Sequence, residues 1–289
     1  FFGGDLAKAN VVVLILGTVP VRVRVGIMVR DKDGTYKTVT GNQTGVLLLD
    51  YLMGAMARTG RLPEKPVALK TIVTTEMARA VAEAHGAACY DTFTGFKFLA
   101  EKKDKLEAAG EGKVVFSYEE SYGYMLGDFV RDKDAVTASL LLTEMAAYYA
   151  GKGMTVLEAL QALYEKYGWY GEKTFNLVMP GLDGLADMAR LMKSLREAPP
   201  AQIAGVDVVQ FKDYLDGSVV DLATGGKTAM ELSGSNVLRF ELADGTSIIV
   251  RPSGTEPKIK VYILTKGADA AERDANIAKY GAWVDTLKK

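Results

Sequence analysis

Hydrophobic residues in the first part of the chain occur in short runs, separated by stretches with a helical spacing of apolar positions. The runs predict buried strands at residues 11–16, 23–29, 36–39, 67–73 and 113–116. Apolar positions three and four residues apart predict helices at residues 42–58, 75–84, 135–150 and 155–167. Strands that alternate with helices are typical of α/β proteins. We therefore predict a three-layer α/β domain with a mixed sheet.

The pattern changes after Gly171. Beyond it the sequence predicts strands at residues 174–178, 206–211, 237–242, 246–250 and 259–264, with helices at 182–195 and 269–287. Several short strands in succession, with few helices between them, are typical of an antiparallel sheet in an α+β domain. We therefore predict a C-terminal α+β domain with an antiparallel sheet, and a domain boundary near residue 170.

Length and composition fit a globular chain of about two domains, since domains usually contain about 100–200 residues. The chain has 289 residues, of which 48% are hydrophobic and 25% charged. Its net charge of −1 gives no basic stripe for nucleic acid or for an anionic membrane surface. No apolar run approaches the roughly 20 residues that span a bilayer. We expect neither nucleic acid nor a membrane as a partner.

The number of cysteines and the first residues of the chain indicate the cellular compartment of the protein. The single cysteine, Cys89, excludes an internal disulfide framework and fits a reducing compartment. Residues 1–5, Phe-Phe-Gly-Gly-Asp, lack both a methionine and the basic start of a signal peptide. These observations predict a cytoplasmic protein whose first residue resembles a cut end.

The strongest candidate for chemistry is the segment Arg-Pro-Ser-Gly-Thr-Glu-Pro at residues 251–257, which separates two predicted strands. Ser253 and Thr255 offer hydroxyl donors, and Gly254 permits the backbone angles of an anion-binding turn. Arg251 can bind a phosphate through two parallel hydrogen bonds, and Lys260 adds a second positive charge. The same residues are equally typical of a hairpin turn that faces water. The residues alone leave both interpretations open.

Three motifs together resemble a known family. Residues 251–262, RPSGTEPKIKVY, resemble the phosphate-binding loop in the last domain of the α-D-phosphohexomutases, the phosphoglucomutase and phosphomannomutase family. Residues 116–124, FSYEESYGY, followed by RDKDA at 131–135, resemble the sugar-binding loop of that family. Residues 92–97, TFTGFK, resemble a turn that brings a lysine to the active site. The motifs occur in family order, and the similarity runs from about residue 10 to the C-terminus.

The resemblance implies roles for particular residues. The phosphate-binding residues would be Arg251, Ser253, Gly254, Thr255 and Lys260. Glu119 and Ser121 would hold hydroxyl groups of the sugar ring, and Lys97 would lie near the site of proton transfer. Glu119 and Glu120 could instead form a general acid/base pair, but neighbouring loop residues usually point apart, so one carboxylate on the sugar is the simpler role.

The resemblance also implies a reaction. The family moves a phosphoryl group between the 1- and 6-positions of a hexose phosphate, through a phosphoserine and a bisphosphorylated intermediate. The EESYGY and RDKDA loops look more like phosphoglucomutase than phosphomannomutase, which favours glucose 1-phosphate as substrate and glucose 1,6-bisphosphate as activator. The alternatives are a phosphomannomutase, a phosphopentomutase, or a non-catalytic sugar-phosphate-binding or scaffold fragment.

The resemblance also implies a division of the chain into domains. Residues 1–40 would be the end of the family's second domain, 41–170 the third domain and 171–289 the fourth. The phosphoserine belongs to the first domain, and no serine–histidine–asparagine signature occurs in these residues. The only histidine, His85, directly precedes Gly86 and is predicted to be a helix-end residue. We expect this chain to be inactive alone and its partner to be the N-terminal half of such an enzyme.

The largest departure from the family lies in the metal loop, where three aspartates of an Asp-Pro-Asp-x-Asp-Arg motif hold Mg²⁺. Pro20, Arg24 and Gly26 match the motif and its flank, but Val19, Val21 and Val23 stand at the three aspartate positions. An isopropyl group offers no oxygen ligand to magnesium. We therefore expect no Mg²⁺ on this chain. Locally, the alternating valines also fit a continued β-strand.

Overall fold

The computed structural model describes residues 10–16, 24–181, 183–254 and 256–287. Its internal contacts divide the chain into two compact units, Phe1–Tyr167 and Gly168–Lys289. Among the helices of the described residues, none has both the length and the apolar character needed to cross a membrane.

The first unit contains seven strands and five helices in its described part. They are β1 (Val11–Leu16), β2 (Arg24–Arg30), β3 (Tyr36–Val39), α1 (Gly41–Arg58), β4 (Pro66–Thr71), α2 (Met77–Ala84), β5 (Ala88–Thr92), α3 (Phe96–Ala108), β6 (Lys113–Glu119), β7 (Gly123–Met125), α4 (Ala135–Gly151) and α5 (Val156–Tyr167). Strands β1-β2-β3 form an antiparallel sheet. A second sheet has the order β5-β4-β6-β7, in which only β7 runs antiparallel to its neighbour. The predicted mixed sheet is confirmed.

The mixed sheet lies between two helical layers. On one face, Val67 and Leu69 of β4 pack with the apolar side of α3. On the other face, the rings of Phe116 and Tyr118 stack with centroids 5.6 Å apart. A methyl group added at Gly45 of α1 would lie 2.0 Å from the Tyr118 ring, so α1 rests directly on these aromatic rings. A register shift between β4 and β6 turns Phe116 towards α1.

The second unit is built on one antiparallel sheet. Its elements are β8 (Trp169–Val178), α6 (Gly184–Glu197), β9 (Gln202–Ile203), β10 (Val206–Asp213), β11 (Ser218–Asp221), β12 (Lys227–Ala229), β13 (Leu238–Leu242), β14 (Ser247–Pro252), β15 (Lys258–Gly267) and α7 (Ala270–Thr286). The strand order is β12-β11-β10-β13-β14-β15-β8, with β9 paired to β10. Ile248, Val250 and Val261 share a core with residues of α6 and α7. The predicted α+β class is confirmed.

The structure contains elements that the hydrophobic pattern did not predict. No element was predicted at residues 88–112, which hold β5 and α3. Most of α3 is polar or charged, and its apolar stripe is limited to Phe96, Leu99, Ala100 and Leu106, so its helical periodicity is weak. Strand β6 was predicted to end at residue 116 but continues to Glu119. That extension changes the surroundings of the candidate sugar-binding residues.

Candidate functional site

Glu119 is the last residue of β6, where it lies opposite Gly123 of β7. The side chain of Glu119 is only 7% exposed, because the strand that was predicted to end at residue 116 continues to it. One carboxylate oxygen of Glu119 accepts a hydrogen bond from the backbone N–H of Gly95. The other accepts from the hydroxyl of Ser121 at 3.4 Å. Glu119 therefore connects the sugar-loop motif to the turn that precedes α3.

The turn before α3 positions Lys97. Gly95 is the N-cap residue of α3 and has a φ of +119°, a backbone angle that side-chain-bearing residues rarely adopt. Lys97 lies in the first helical turn, where its side chain is exposed. Its ammonium group is 4.6 Å from the centroid of the Phe98 ring. Two of the three motifs are thus joined in the first unit through the contact between Glu119 and Gly95.

The neighbouring carboxylate, that of Glu120, forms hydrogen bonds with other residues than Glu119 does. One of its oxygens accepts hydrogen bonds from the hydroxyls of Thr71 at 3.3 Å and Thr74 at 3.4 Å. These two threonines lie at the C-terminal end of β4 and just beyond it. Because Glu119 and Glu120 bind different partners, they do not form an acid/base pair in this structure.

Strand β2 contacts the sugar loop through Arg24, which the sequence matched to the arginine of the metal-loop motif but did not connect with this loop. Arg24 donates a guanidinium hydrogen bond to the backbone carbonyl of Ser121. The N–H of Val25 donates to the carbonyl of Tyr122 at 3.1 Å. Tyr122 has a positive φ of 66°, which is unfavourable for a bulky residue and requires support from its surroundings.

Helix α1 approaches the same loop from another side. A methyl group added at Gly41, the first residue of α1, would lie 2.0 Å from the carbonyl oxygen of Glu120 and 2.8 Å from the nitrogen of Tyr122. Only glycine permits this approach. The loop is therefore held between α1, β2 and the turn before α3.

The second unit carries the candidate phosphate-binding residues at one hairpin. Arg251 of β14 lies directly opposite Lys260 of β15, so their side chains share one face of the sheet with Cβ atoms about 4.5–5.5 Å apart. The N–H of Ser253 donates to the carbonyl of Lys258 at 2.8 Å and closes the hairpin. Gly254 is exposed at its tip. Thr255 lies outside the described residues.

The strand on the other side of β15 adds a third polar group in the same row. Asn176 of β8 lies opposite Lys260, so Asn176, Lys260 and Arg251 follow one line across three strands. Two cationic side chains directly opposite each other repel, and an anion bound beside them offsets that repulsion. The hairpin therefore carries two cationic residues on one face of the sheet.

Comparisons with known proteins agree with these motifs. The model of the phosphoglucomutase/phosphomannomutase α/β/α domain III matches residues 40–167. The model of the phosphoglucomutase/phosphomannomutase C-terminal domain matches residues 191–276. The chain belongs to the phosphoglucomutase/phosphomannomutase family.

Curated relatives within this family include phosphoglucomutases of staphylococci. The Staphylococcus aureus (strain N315) protein is 34% identical over 265 residues, which are 92% of this chain and 47% of the relative. A Staphylococcus epidermidis phosphoglucomutase is 33% identical over 250 residues, which cover 86% of this chain and 44% of the relative. The chain thus spans about half the length of the curated relatives it matches.

Solved structures show the same fold. Parafusin from Paramecium, a phosphoglucomutase in its open form, superposes with a TM-score of 0.61 at 21% identity, covering 91% of this chain and 43% of parafusin. A putative phosphomannomutase from Thermus thermophilus gives a TM-score of 0.55 at 18% identity, covering 91% of this chain and 44% of that protein.

The family's metal loop does not fit Mg²⁺ in this chain. Val19, Val21 and Val23 lie outside the described residues, but their side chains contain no oxygen to coordinate a hard cation. Within the described part of the chain, no group of three or more histidine, cysteine, aspartate or glutamate side chains could hold a metal ion.

His85 serves as the C-cap residue of α2. Its ring Nε2 lies 3.0 Å from a carboxylate oxygen of Asp50 on α1, and that oxygen also accepts from the hydroxyl of Tyr167 at 2.6 Å. Burial alone would raise the pKa of Asp50, but the hydrogen bonds from His85 and Tyr167 hold this pKa below its usual value. This cluster joins α1, α2 and α5.

The bond between Glu119 and Gly95 predicts a difference in stability between two neighbouring variants. We expect Glu119→Ala to lower the free energy of unfolding by about 1.5–3 kcal/mol, because a buried charge-assisted hydrogen bond is lost. Glu120→Ala is the matched control and should cost less, since its hydrogen bonds from Thr71 and Thr74 are long and the residue is less buried. Urea denaturation, monitored by circular dichroism, measures the free energy of unfolding of both variants. Equal losses in the two variants would contradict the assigned role of Glu119.

Proposed function

We propose that this chain provides the sugar- and phosphate-binding part of a phosphoglucomutase-type enzyme, which interconverts glucose 1-phosphate and glucose 6-phosphate. The observation that carries the proposal is the opposed pair of Arg251 and Lys260 beside the turn at Ser253 and Gly254. Membership of the family supports it. Because the chain spans about half of its relatives, the activity of the whole enzyme is part of the proposal.

In this proposal the hairpin of the second unit binds the phosphate group that is not reacting. Arg251 supplies two parallel hydrogen bonds, Ser253 and Thr255 supply hydroxyl donors, Gly254 allows close approach, and Lys260 adds charge. Positioning and electrostatics supply most of the rate in phosphoryl transfer. Residues that only hold the non-reacting phosphate would therefore still contribute to the rate of the reaction.

The first unit would bind the sugar. One oxygen of Glu119 accepts from the N–H of Gly95, and the other accepts from the hydroxyl of Ser121. The second oxygen has a further lone pair and the Ser121 hydroxyl can also accept, so both can meet ring hydroxyls. Lys97 would lie near the site of proton transfer. The phosphoserine, as the family resemblance implies it, would come from the N-terminal half as a partner in the cytoplasm, with glucose 1,6-bisphosphate as the activator.

Four alternatives remain: two other mutases of the family, a non-catalytic binder and a scaffold fragment. A phosphomannomutase or phosphopentomutase would use the same phosphate clamp with another sugar. A non-catalytic binder would keep the loops without the chemistry, and a scaffold fragment would not bind sugar phosphates at all. Titration with glucose 1-phosphate, mannose 1-phosphate, ribose 1-phosphate and free glucose distinguishes the sugars and the scaffold fragment, and binding without turnover identifies the non-catalytic binder.

The phosphate clamp is tested by isothermal titration of glucose 1-phosphate. We expect Arg251→Ala to weaken binding about 10–100-fold, because a charge-assisted hydrogen bond contributes about 1.5–3 kcal/mol and each 1.4 kcal/mol is tenfold in affinity. Lys227→Ala is the matched control. It removes one positive charge from β12 at the far edge of the same sheet and should leave affinity unchanged. Undiminished affinity in Arg251→Ala would exclude the clamp.

A further inference from the structure

Asn176 lies inside the ten-residue strand β8, although asparagine is one of the residues that are depleted in strands. Its side chain is exposed and forms no hydrogen bond or ion pair with another of the described residues. Neither packing nor pairing within the described structure therefore explains an asparagine at this position. A residue that contradicts the preference of its element is expected where a function requires it.

The packing of β8 determines which way Asn176 faces. The next residue, Leu177, is 0% exposed and lies in the core that includes residues of α6 and α7. Successive side chains of a strand point to opposite faces, so Asn176 lies on the face without these helices. Ile259 lies in the same core, which places its neighbour Lys260 on the helix-free face as well. Strands β8 and β15 pair over ten consecutive residues without a register shift, so this arrangement is fixed by the sheet.

Asn176 is the polar side chain of β8 closest to the phosphate-binding hairpin on this face. It lies opposite Lys260, with Cβ atoms about 4.5–5.5 Å apart. The next pair towards the hairpin tip consists of Val178 and Lys258. Val178 has no polar side-chain atom, and the ammonium group of Lys258 forms an ion pair with Glu256. The side chain of β8 that can offer a hydrogen bond beside the hairpin is therefore that of Asn176.

We propose that Asn176 is a further phosphate-binding residue, whose side-chain amide donates a hydrogen bond to a phosphoryl oxygen held by Arg251 and Lys260. This inference rests on the proposed function and adds a residue to its phosphate-binding site. A third cation in this row would add to the repulsion between Arg251 and Lys260. A neutral amide supplies two N–H donors without that repulsion. A residue on a paired strand is also held more precisely than a residue at the hairpin tip.

Two ligands distinguish a contact with phosphate from a contact with sugar. In the proposed function the hairpin holds the 1-phosphate of glucose 1-phosphate and the 6-phosphate of glucose 6-phosphate. A residue that contacts only the phosphate group should contribute equally to both affinities. We expect Asn176→Ala to weaken the binding of both ligands by the same factor, about fivefold to tenfold, in isothermal titration of the 289-residue chain. Unequal factors would place the contact on the sugar and overturn the assignment.

Two further variants of β8 locate the contact. Thr174→Ala is the matched control, because Thr174 is also exposed and lies on the same face about 6.8 Å farther along the strand. It should bind both ligands like the parent chain, and a loss equal to that of Asn176→Ala would overturn the assignment. Asn176→Asp keeps the shape of the side chain but places a carboxylate beside the phosphate. It should bind more weakly than Asn176→Ala, and the difference should shrink at high salt.

The outcomes separate this inference from the proposed function. Circular dichroism should show that all three variants are folded, since both positions are exposed. If Arg251→Ala weakens binding while Asn176→Ala and Asn176→Asp bind like the parent chain, the role of Asn176 is overturned and the proposed function stands. If the parent chain binds neither glucose 1-phosphate nor glucose 6-phosphate, the proposed function and the role of Asn176 are overturned together.

Discussion

The 289-residue chain alone is expected to form no glucose 6-phosphate above background from glucose 1-phosphate, even with Mg²⁺ and catalytic glucose 1,6-bisphosphate. In the alignment that the family resemblance implies, Val19, Val21 and Val23 stand at the positions of the metal-binding aspartates. Metal assistance contributes several kcal/mol to such reactions. With about 1.36 kcal/mol for each factor of ten, its loss alone should cost roughly three orders of magnitude in rate. These residues also contain no serine–histidine–asparagine signature to carry the phosphoryl group, which should abolish the pathway.

The assay couples glucose 6-phosphate to a dehydrogenase and uses the Staphylococcus aureus phosphoglucomutase as its positive control. Steady product formation in proportion to the concentration of this chain would contradict the prediction, because it would require a nucleophile in these residues. A second measurement separates the two deficits. The triple variant Val19→Asp, Val21→Asp and Val23→Asp should bind Mg²⁺ by calorimetry, whereas the parent chain should not. It should remain inactive alone, since the nucleophile is still missing.

The fold was predictable where one face of an element is clearly apolar. The runs of valine, isoleucine and leucine in β4, β14 and β15 identified these strands because their side chains fill the cores of the two units. Helix α3 could not be predicted in this way, since its polar residues outnumber the apolar ones that face β4 and β6. Tertiary packing, rather than local periodicity, stabilises such a helix.

The candidate site was predictable as a set of residues but not as a set of contacts. The motifs named Glu119, Ser121 and Arg251, and those assignments stay predictions of function. The bond from Arg24 to the Ser121 carbonyl joins positions 97 residues apart, and the bond between Glu119 and Gly95 spans 24. No local pattern specifies pairings of this kind. They depend on how β2, β6 and α3 pack, which only the structure shows.

The second large effect is expected from a buried lysine in α3. Lys103 is 1% exposed, and its ammonium group lies 2.5 Å from a carboxylate oxygen of Glu107 and 2.7 Å from one of Asp128. We expect Lys103→Ala to lower the free energy of unfolding by about 3 kcal/mol, the low end of the range for breaking a buried ion pair. The low end applies because Asp128 is 59% exposed and because Lys113 contacts the same two carboxylates and partly compensates.

Lys113 provides the matched control for this prediction. It pairs with the same carboxylates as Lys103, but its side chain is 45% exposed. Lys113→Ala should therefore cost at most about 1 kcal/mol, as is usual for solvent-exposed ion pairs. Urea denaturation of the two variants at neutral pH measures the difference. Equal losses would show that the burial of Lys103 adds nothing to the strength of its ion pairs.

The pH dependence of stability gives an independent check on the same cluster. Hydrogen bonds from Lys103 and Lys113 lower the pKa of Asp128 to about 2. A carboxyl group whose pKa is lower in the folded than in the unfolded chain stabilises the fold above the unfolded pKa of about 3.9. That contribution is lost as the pH falls from about 4 towards 2. The difference in unfolding free energy between the parent chain and Lys103→Ala should accordingly be smaller at pH 2.5 than at pH 7. An unchanged difference would mean that Asp128 does not contribute to the stabilising effect of Lys103.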